Sequence, residues 1–240
     1  MNASVFITGT DTEVGKTVLT SALLTAARAR GWSAVPMKPV QTGASKCNGR
    51  WRSPDVDFCL RMARLDIDPE TYRDVAPFCY EPACSPHLAA RIARRNVSME
   101  TLQTAFQRLE ASYASVFIEG AGGVFSPINE SQRILDLILA FKRPVIVAAR
   151  PGLGTLNHTL LTLFALRTAG ICVTGVVLVE TTSVTWGELE HDNRRSIESM
   201  GHVPVLGVIP YVGNLDTALA APDAFVDAGA TILDQLPNLD

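Results

Sequence analysis

Over its first thirty residues the chain changes character twice. "SVFIT" is a short apolar run of β-formers, "GTDTEVG" is rich in glycine and threonine, and "KTVLTSALLTAARAR" spaces its apolar residues like a helix until Gly31 stops it. A strand, a loop ending in Gly15-Lys16-Thr17 and a helix, in that order, hold phosphate. Loop and helix-terminal N–H groups point at an anion, and the helix dipole favours negative charge there. The pattern predicts Lys16 on the terminal phosphates of a nucleoside triphosphate and the Thr17 hydroxyl on magnesium. The loop is a variant: five residues separate Gly9 from Gly15, where the common G-x-x-x-x-G-K motif has four.

Such a unit needs a sheet around it, and the rest of the chain supplies one. Apolar runs rich in Val and Ile recur at residues 33–38, 115–119, 144–149, 173–179 and 205–209, without clean alternation, as in parallel strands covered on both faces. Helical patterns lie between them at residues 98–112, 132–141, 155–169 and 186–200. The expectation is an α/β fold: a single doubly wound, mainly parallel sheet with helices on both faces, of the phosphate-loop NTPase type, forming one domain over residues 1–240. Ligands in such folds bind beyond the carboxyl ends of the strands. Residues 41–54, the least regular stretch, read as a flexible surface loop.

Composition narrows the partners. With 47% of residues apolar, a large core is available, and a net charge of −3 leaves no basic surplus for a nucleic-acid backbone. The five cysteines are odd in number and form no C-x-x-C pair, which argues against a disulfide framework or zinc site. No basic stretch followed by a long apolar run opens the chain, and no apolar run is long enough for a membrane span. The expectation is a cytoplasmic protein that binds neither membrane nor nucleic acid.

Three further residues stand where phosphate chemistry needs them. Glu119 ends "SVFIE" and precedes Gly120-Ala121-Gly122-Gly123, so a carboxylate at a strand tip can reach a metal in the loop, while glycines let backbone approach a ligand. Asp55 follows Ser53 and Pro54, an N-cap and first helical residue, and an acid there also suits the helix dipole. Asp57 competes with it for the role of second metal carboxylate. Lys38 ends a strand in "MKPVQTG" and offers a second cation beside the phosphates.

In this order, "GTDTEVGKT", "KPVQTG", "SPD", "SPH", "EGAGG" and "LGTLNH" resemble the dethiobiotin synthetase family, over a span from the first strand to about Gly207. The resemblance implies an ATP-dependent cyclo-ligase of biotin biosynthesis. One amine of diaminopelargonate takes up carbon dioxide as a carbamate, the ATP γ-phosphoryl group moves to it, and the second amine closes the urea ring. By that likeness Lys16, Lys38 and Thr12 serve catalysis, and Thr17, Asp55 and Glu119 hold magnesium. Glu13, Val14, Gly15, Lys16, Thr17 and Val18 cradle the nucleotide. Thr12, Lys38, Thr42 and the backbone near Gly122 and Gly123 contact the substrate. His87 of "SPH" opens a helix and reads as structural.

The substrate also carries a free carboxylate, and "GLGTLNH" heads a helix whose N-terminus suits an anion. In the family this element comes from the neighbouring subunit of a homodimer, with Gly154, Thr155 and Asn157 at the matching positions. The helix is apolar over much of its circumference, as burial on two sides would require. Family members commonly place an adenine-reading asparagine just past the strand equivalent to residues 173–179. Here Val179 takes that place, followed by Glu180, Thr181 and Thr182, with Pro210 and Tyr211 expected to complete the base pocket. Relaxed base selectivity follows, unless backbone near Val212 and Gly213 reads the base.

Two rival readings fit the sequence less well. A partitioning or localisation ATPase of the related deviant phosphate-loop group usually carries an early lysine in its loop, and none lies between Gly9 and Val14. Its membrane-seeking members have a basic amphipathic tail, whereas "DAFVDAGATILDQLPNLD" is acidic. An amide-forming ligase of the cobyrinate amidase kind needs an ammonia source, for which this chain has no room.

Overall fold

The computed structural model describes residues 4–215, 217–218 and 221–236. The two ends of the expected 1–240 unit, including the last four residues of the acidic tail, lie outside them. Six strands form the main sheet: β1 (Val5–Gly9), β2 (Ala34–Met37), β7 (Ser115–Gly123), β8 (Val145–Ala149), β9 (Val173–Val179) and β10 (Val205–Ile209). Their order is β10-β9-β8-β1-β7-β2, and every pairing is parallel. On one side of β1 the strands β8, β9 and β10 follow outward in chain order, and on the other β7 inserts between β1 and the edge strand β2, so the crevice at the carboxyl end of β1 is where a ligand site is expected.

Burial on both faces explains why the strand sequences fail to alternate. Val5, Ile7, Phe117, Ile146, Val177 and Val179 pack into one layer with α1 (Lys16–Ala29), α2 (Pro54–Met62) and α9 (Asp223–Leu233). Phe6, Val116, Ile118, Val147, Val176 and Leu178 pack into the opposite layer. That layer draws on α3 (Pro69–Val75), α4 (Pro86–Ile92), α5 (Met99–Ser112), α6 (Ile134–Phe141), α7 (Thr155–Thr168) and α8 (Glu188–Gly201).

Residues 41–54 are not the flexible loop expected. β3 (Val40–Thr42) pairs in parallel with β6 (Phe78–Tyr80), and β4 (Ser45–Cys47) and β5 (Arg50–Arg52) form an antiparallel hairpin. The hairpin turns at Asn48-Gly49, with φ of 50° and 75°, the left-handed pair that a two-residue hairpin turn requires. The Asn-Gly pair was the signal, hidden because the flanking strands are polar and only three residues long.

β7 runs past Glu119 to Gly123, further than its apolar run suggested. Ile7 pairs with Glu119 but Gly9 with Gly123, so two extra residues bulge from β7 at the carboxyl end of the sheet. Gly122 has φ 68°, and a Cβ there would stand 2.3 Å from Ser126 Oγ, so only glycine fits the bulge.

Candidate active site

A cleft of about 550 Å³ opens at the carboxyl ends of β1, β2, β7 and β10. Its floor is the loop after β1. Gly15 has φ 87°, and a Cβ on it would fall 2.3 Å from Val179 Cγ1, so the loop turns sharply and lies directly on the end of β9. Lys16 heads α1 with 7% of its surface exposed, and its Nζ donates to the Asp11 carbonyl at 2.7 Å, spanning the loop from within. Burial, reinforced by the Lys38 ammonium, pushes its pKa down to about 8.

Lys38 leaves the tip of β2 and is 5% exposed. Its Nζ lies 2.6 Å from Glu119 Oε1, 2.7 Å from Asp55 Oδ2 and 3.2 Å from the Gly120 carbonyl. Burial pulls its pKa down, but the two carboxylates outweigh that and hold it above the usual lysine range. Thr17 Oγ1 donates to the same Glu119 oxygen at 2.8 Å. Three distant pieces of sequence thus meet around one ammonium.

Asp55 is set by its helix. Ser53 caps α2, its Oγ accepting from Val56 N at 3.2 Å, and Pro54 follows at the first helical position. Two residues on, Asp57 points elsewhere: Arg52 grips it with Nε at 3.0 Å and Nη2 at 2.6 Å, and Tyr72 Oη donates to it at 2.8 Å. Asp55 is therefore the carboxylate of α2 that faces the cleft. The donor set of Thr17, Asp55 and Glu119 is all oxygen, and an ammonium already sits between its two carboxylates. It fits magnesium, which takes one or two carboxylates and fills its other positions with phosphate oxygens and water. Among the described residues no three His, Cys, Asp or Glu side chains gather as a metal site.

Thr12, Glu13, Val18, Thr42 and Gly122 also line the cleft. Val14 is fully buried, so only its backbone is available. Gly123 lines a neighbouring groove against α7 instead. Pro210 and Tyr211 line the outer end. Val179 does not: it is fully buried beneath Gly15, and the expectation that it occupies the base position is corrected. The next residue, Glu180, does reach the cleft, but its carboxylate is taken by Trp186 Nε1 and by Tyr211 N at 3.0 Å.

Gly154, Thr155 and Asn157 lie outside this cleft. Thr155 is 5% exposed, its Oγ1 lies 3.3 Å from Thr159 Oγ1 and its N–H donates to the Gly152 carbonyl. Asn157 is exposed, beside Leu161 and Phe164, which are 60% and 70% exposed. His87 is absent from the cleft lining, and its Nδ1 is buried without a partner.

Two residues were missed. Gln41, buried at 6%, lines the cleft and bonds to Ser53 through Oε1, tying β3 to the cap of α2. Asn214 lines the base end beside Leu215. It has φ 63° in a loop after the last strand, where no periodic pattern marks it.

Residues 3–218 match a family described as an AAA domain. The chain is 37% identical over 210 residues to the ATP-dependent dethiobiotin synthetase BioD of Anoxybacillus flavithermus, covering 87% of this chain and 92% of that one. It is 34% identical to the enzyme of the same name from Clostridium acetobutylicum, covering 87% and 86%. Among solved structures it resembles the septum site-determining protein MinD of Pyrococcus horikoshii complexed with Mg-ADP. There the TM-score is 0.62 at 16% identity, covering 100% of this chain and 97% of that one. At that identity the likeness is one of fold.

Proposed function

The chain belongs to the dethiobiotin synthetase family, and from that premise we propose that it makes dethiobiotin from diaminopelargonate and carbon dioxide, in biotin biosynthesis, at the expense of ATP. The observation that carries the reading is the meeting of Lys16, Lys38, Thr17, Asp55 and Glu119 in one cleft.

The chemistry explains why two lysines are buried together. A carbamate oxygen and a γ-phosphate are both anionic, and their approach needs positive charge between them. Lys16, on the loop, faces the terminal phosphates, and Lys38, on β2, faces the carbamate. The phosphoryl group leaves the β-phosphate oxygen and bonds to the carbamate oxygen, releasing ADP. The second amine then attacks the carbamoyl carbon, the C–O bond to phosphate breaks, and inorganic phosphate departs. Magnesium, held by Thr17, Asp55 and Glu119, would supply further charge neutralisation at the phosphates. Thr12, Thr42 and the backbone at Gly122 orient the substrate.

The substrate carboxylate requires a second copy of the chain. No group of "GLGTLNH" lines the cleft of its own subunit, while Leu153, Leu161, Phe164 and Phe125 leave an apolar face beside it, 91%, 60%, 70% and 58% exposed. A homodimer that buries this face carries Asn157 and the start of α7 toward the partner's cleft. Base selection is weak in this reading, because Val179 is buried and Glu180 is held by its neighbours. Among the described residues no helix is long and apolar enough to cross a membrane, in keeping with work in the cytoplasm. The test is to incubate the protein with diaminopelargonate, bicarbonate, ATP and magnesium and to seek dethiobiotin by mass; no product with all four present overturns the reading.

A further inference from the structure

Outside the cleft, a larger cavity of about 810 Å³ lies between the β4–β5 hairpin, α3 and α5. Five arginines line it: Arg50, Arg52, Arg73, Arg95 and Arg108. Two carboxylates, Asp74 and Glu100, share the wall and a third, Asp57, pairs with Arg52, so two positive charges are left over in a chain whose net charge is −3. Three of the guanidiniums are held in place. Arg52 is gripped by Asp57 and lies 4.3 Å over the Tyr72 ring, Arg95 donates to the Pro77 carbonyl at 3.0 Å, and Arg108 stands 3.4 Å from Asp74. The guanidinium groups of Arg50 and Arg73 have no hydrogen-bond or ion-pair partner among the described residues.

Guanidinium is a planar fork that matches phosphate and carboxylate oxygens in pairs. Like charges gathered in a concave wall repel one another unless an anion sits among them, and such a wall concentrates anions. The volume falls in the range of small-molecule sites. The cavity shares no lining residue with the catalytic cleft.

We propose that this cavity is a second binding site, for a small polyanion bearing at least two phosphate or carboxylate groups, with Arg50 and Arg73 as its free clamps. The site lies beyond the catalytic reading, and its test needs no turnover. Pyrophosphate, and in a parallel arm citrate, is titrated calorimetrically into the full chain with its phosphate loop kept saturated by a non-hydrolysable ATP analogue, at 0.15 M salt, roughly physiological ionic strength. One-to-one binding is expected, with a Kd below about 1 mM for the better probe. Arg50→Ala/Arg73→Ala, two exposed residues outside the catalytic cleft, should weaken it by about tenfold or more while leaving analogue affinity and thermal midpoint unchanged. Tighter pyrophosphate assigns the site to phosphate-bearing ligands, and tighter citrate to polycarboxylates. Absence of heat with both probes, or binding that the double variant leaves intact, overturns the proposal.

Discussion

Lys16 and Lys38 are 7% and 5% exposed and share one cleft, yet the two sides of that cleft treat them in opposite ways. On the loop side the Lys16 ammonium hydrogen-bonds to a backbone carbonyl, and burial, which outweighs the more distant carboxylates, drives its pKa down to about 8. On the inner wall Lys38 stands between Asp55 and Glu119, which keep it charged. The first is a cation short of an anion. The second neutralises a buried carboxylate, Glu119, and a half-buried one, Asp55, at the cleft wall. In the proposed reaction a triphosphate would supply the charge Lys16 lacks, and magnesium, held by Thr17, Asp55 and Glu119, would neutralise the two carboxylates and leave Lys38 to face the carbamate.

Removing each lysine breaks the comparison most sharply. Lys16→Met and Lys38→Met should both lower turnover by roughly a hundredfold or more, since each removes a charge placed for the transition state. Stability should separate them. The shift of Lys16 from 10.5 to about 8 means that holding it charged at neutral pH costs about 3 kcal/mol, so Lys16→Met should hold or raise the thermal midpoint. Lys38→Met leaves the buried Glu119 carboxylate uncompensated beside the partly exposed Asp55, a loss of roughly 3–5 kcal/mol, and should lower the midpoint by about 10 °C. Equal midpoints for the two variants would remove the distinction between the sides.

The next effect tests whether the cleft is completed by a second chain. Asn157→Ala should raise the KM for diaminopelargonate about tenfold or more, as loss of a hydrogen bond to a charged group does, with kcat little changed. Mixed with Lys16→Ala subunits and allowed to exchange, it should recover about a quarter of wild-type activity at low substrate, because half the dimers are mixed and each carries one intact site of two. Mixtures no more active at low substrate than the average of the two parents would place each site within one chain.

A smaller, graded effect follows from the pKa of Lys16. Below about pH 8 its ammonium is present and attracts triphosphate; above it the neutral amine does not. Affinity of the free protein for a non-hydrolysable ATP analogue should hold from pH 6.5 to 7.5 and then fall, approaching about tenfold per unit. The same depressed pKa means that the folded chain binds fewer protons than the unfolded one between about 8 and 10.5, so Lys16 adds stability as pH rises through that window. Lys38, raised, contributes no loss there. Binding unchanged to pH 9.5 would show Lys16 charged throughout and its burial compensated.

The same contrast runs through what the sequence made legible. β9 and β10 fall at residues 173–179 and 205–209, where their apolar runs lie, because strands buried on both faces must be apolar throughout. The loop, Lys38 and Glu119 were legible because they sit at strand tips, where periodicity stops and a charged residue stands out. The inner wall was less so. That Asp55 and not Asp57 faces the cleft depends on Arg52 and Tyr72, which claim Asp57 from elements whose packing no local pattern reveals. α3 announces itself only through Asp68-Pro69, whose carboxylate caps the Glu70 and Thr71 N–H groups. Val179 was misplaced because a strand's last residue can face up into the cleft or down under the loop, and the side is fixed by sheet twist and by the Cβ-less Gly15 above it.

That misplacement bears on the smallest effect, at the base end of the cleft. A bidentate amide contact to an adenine edge is worth roughly 1–3 kcal/mol of discrimination. Val179 cannot make one, and Glu180 spends its oxygens on Trp186 and Tyr211. The phosphates bind through the loop and are the same in every nucleoside triphosphate. CTP, GTP and UTP should therefore support the reaction with kcat/KM within about tenfold of ATP, the scale of one missing contact. Asn214 is the residue that can defeat this expectation. It lines the same end of the cleft with a side-chain amide, and its left-handed backbone is one that asparagine tolerates. The comparison is thus run twice, on the wild type and on Asn214→Ala, at saturating diaminopelargonate. Similar values for all four nucleotides in both proteins would mean that no side chain reads the base. A strong preference for ATP that Asn214→Ala abolishes would move the reading of adenine from the end of β9 to the loop after β10. A preference that survives the substitution would assign it to backbone groups near Val212 and Gly213, and the expectation of relaxed selectivity would fall with it.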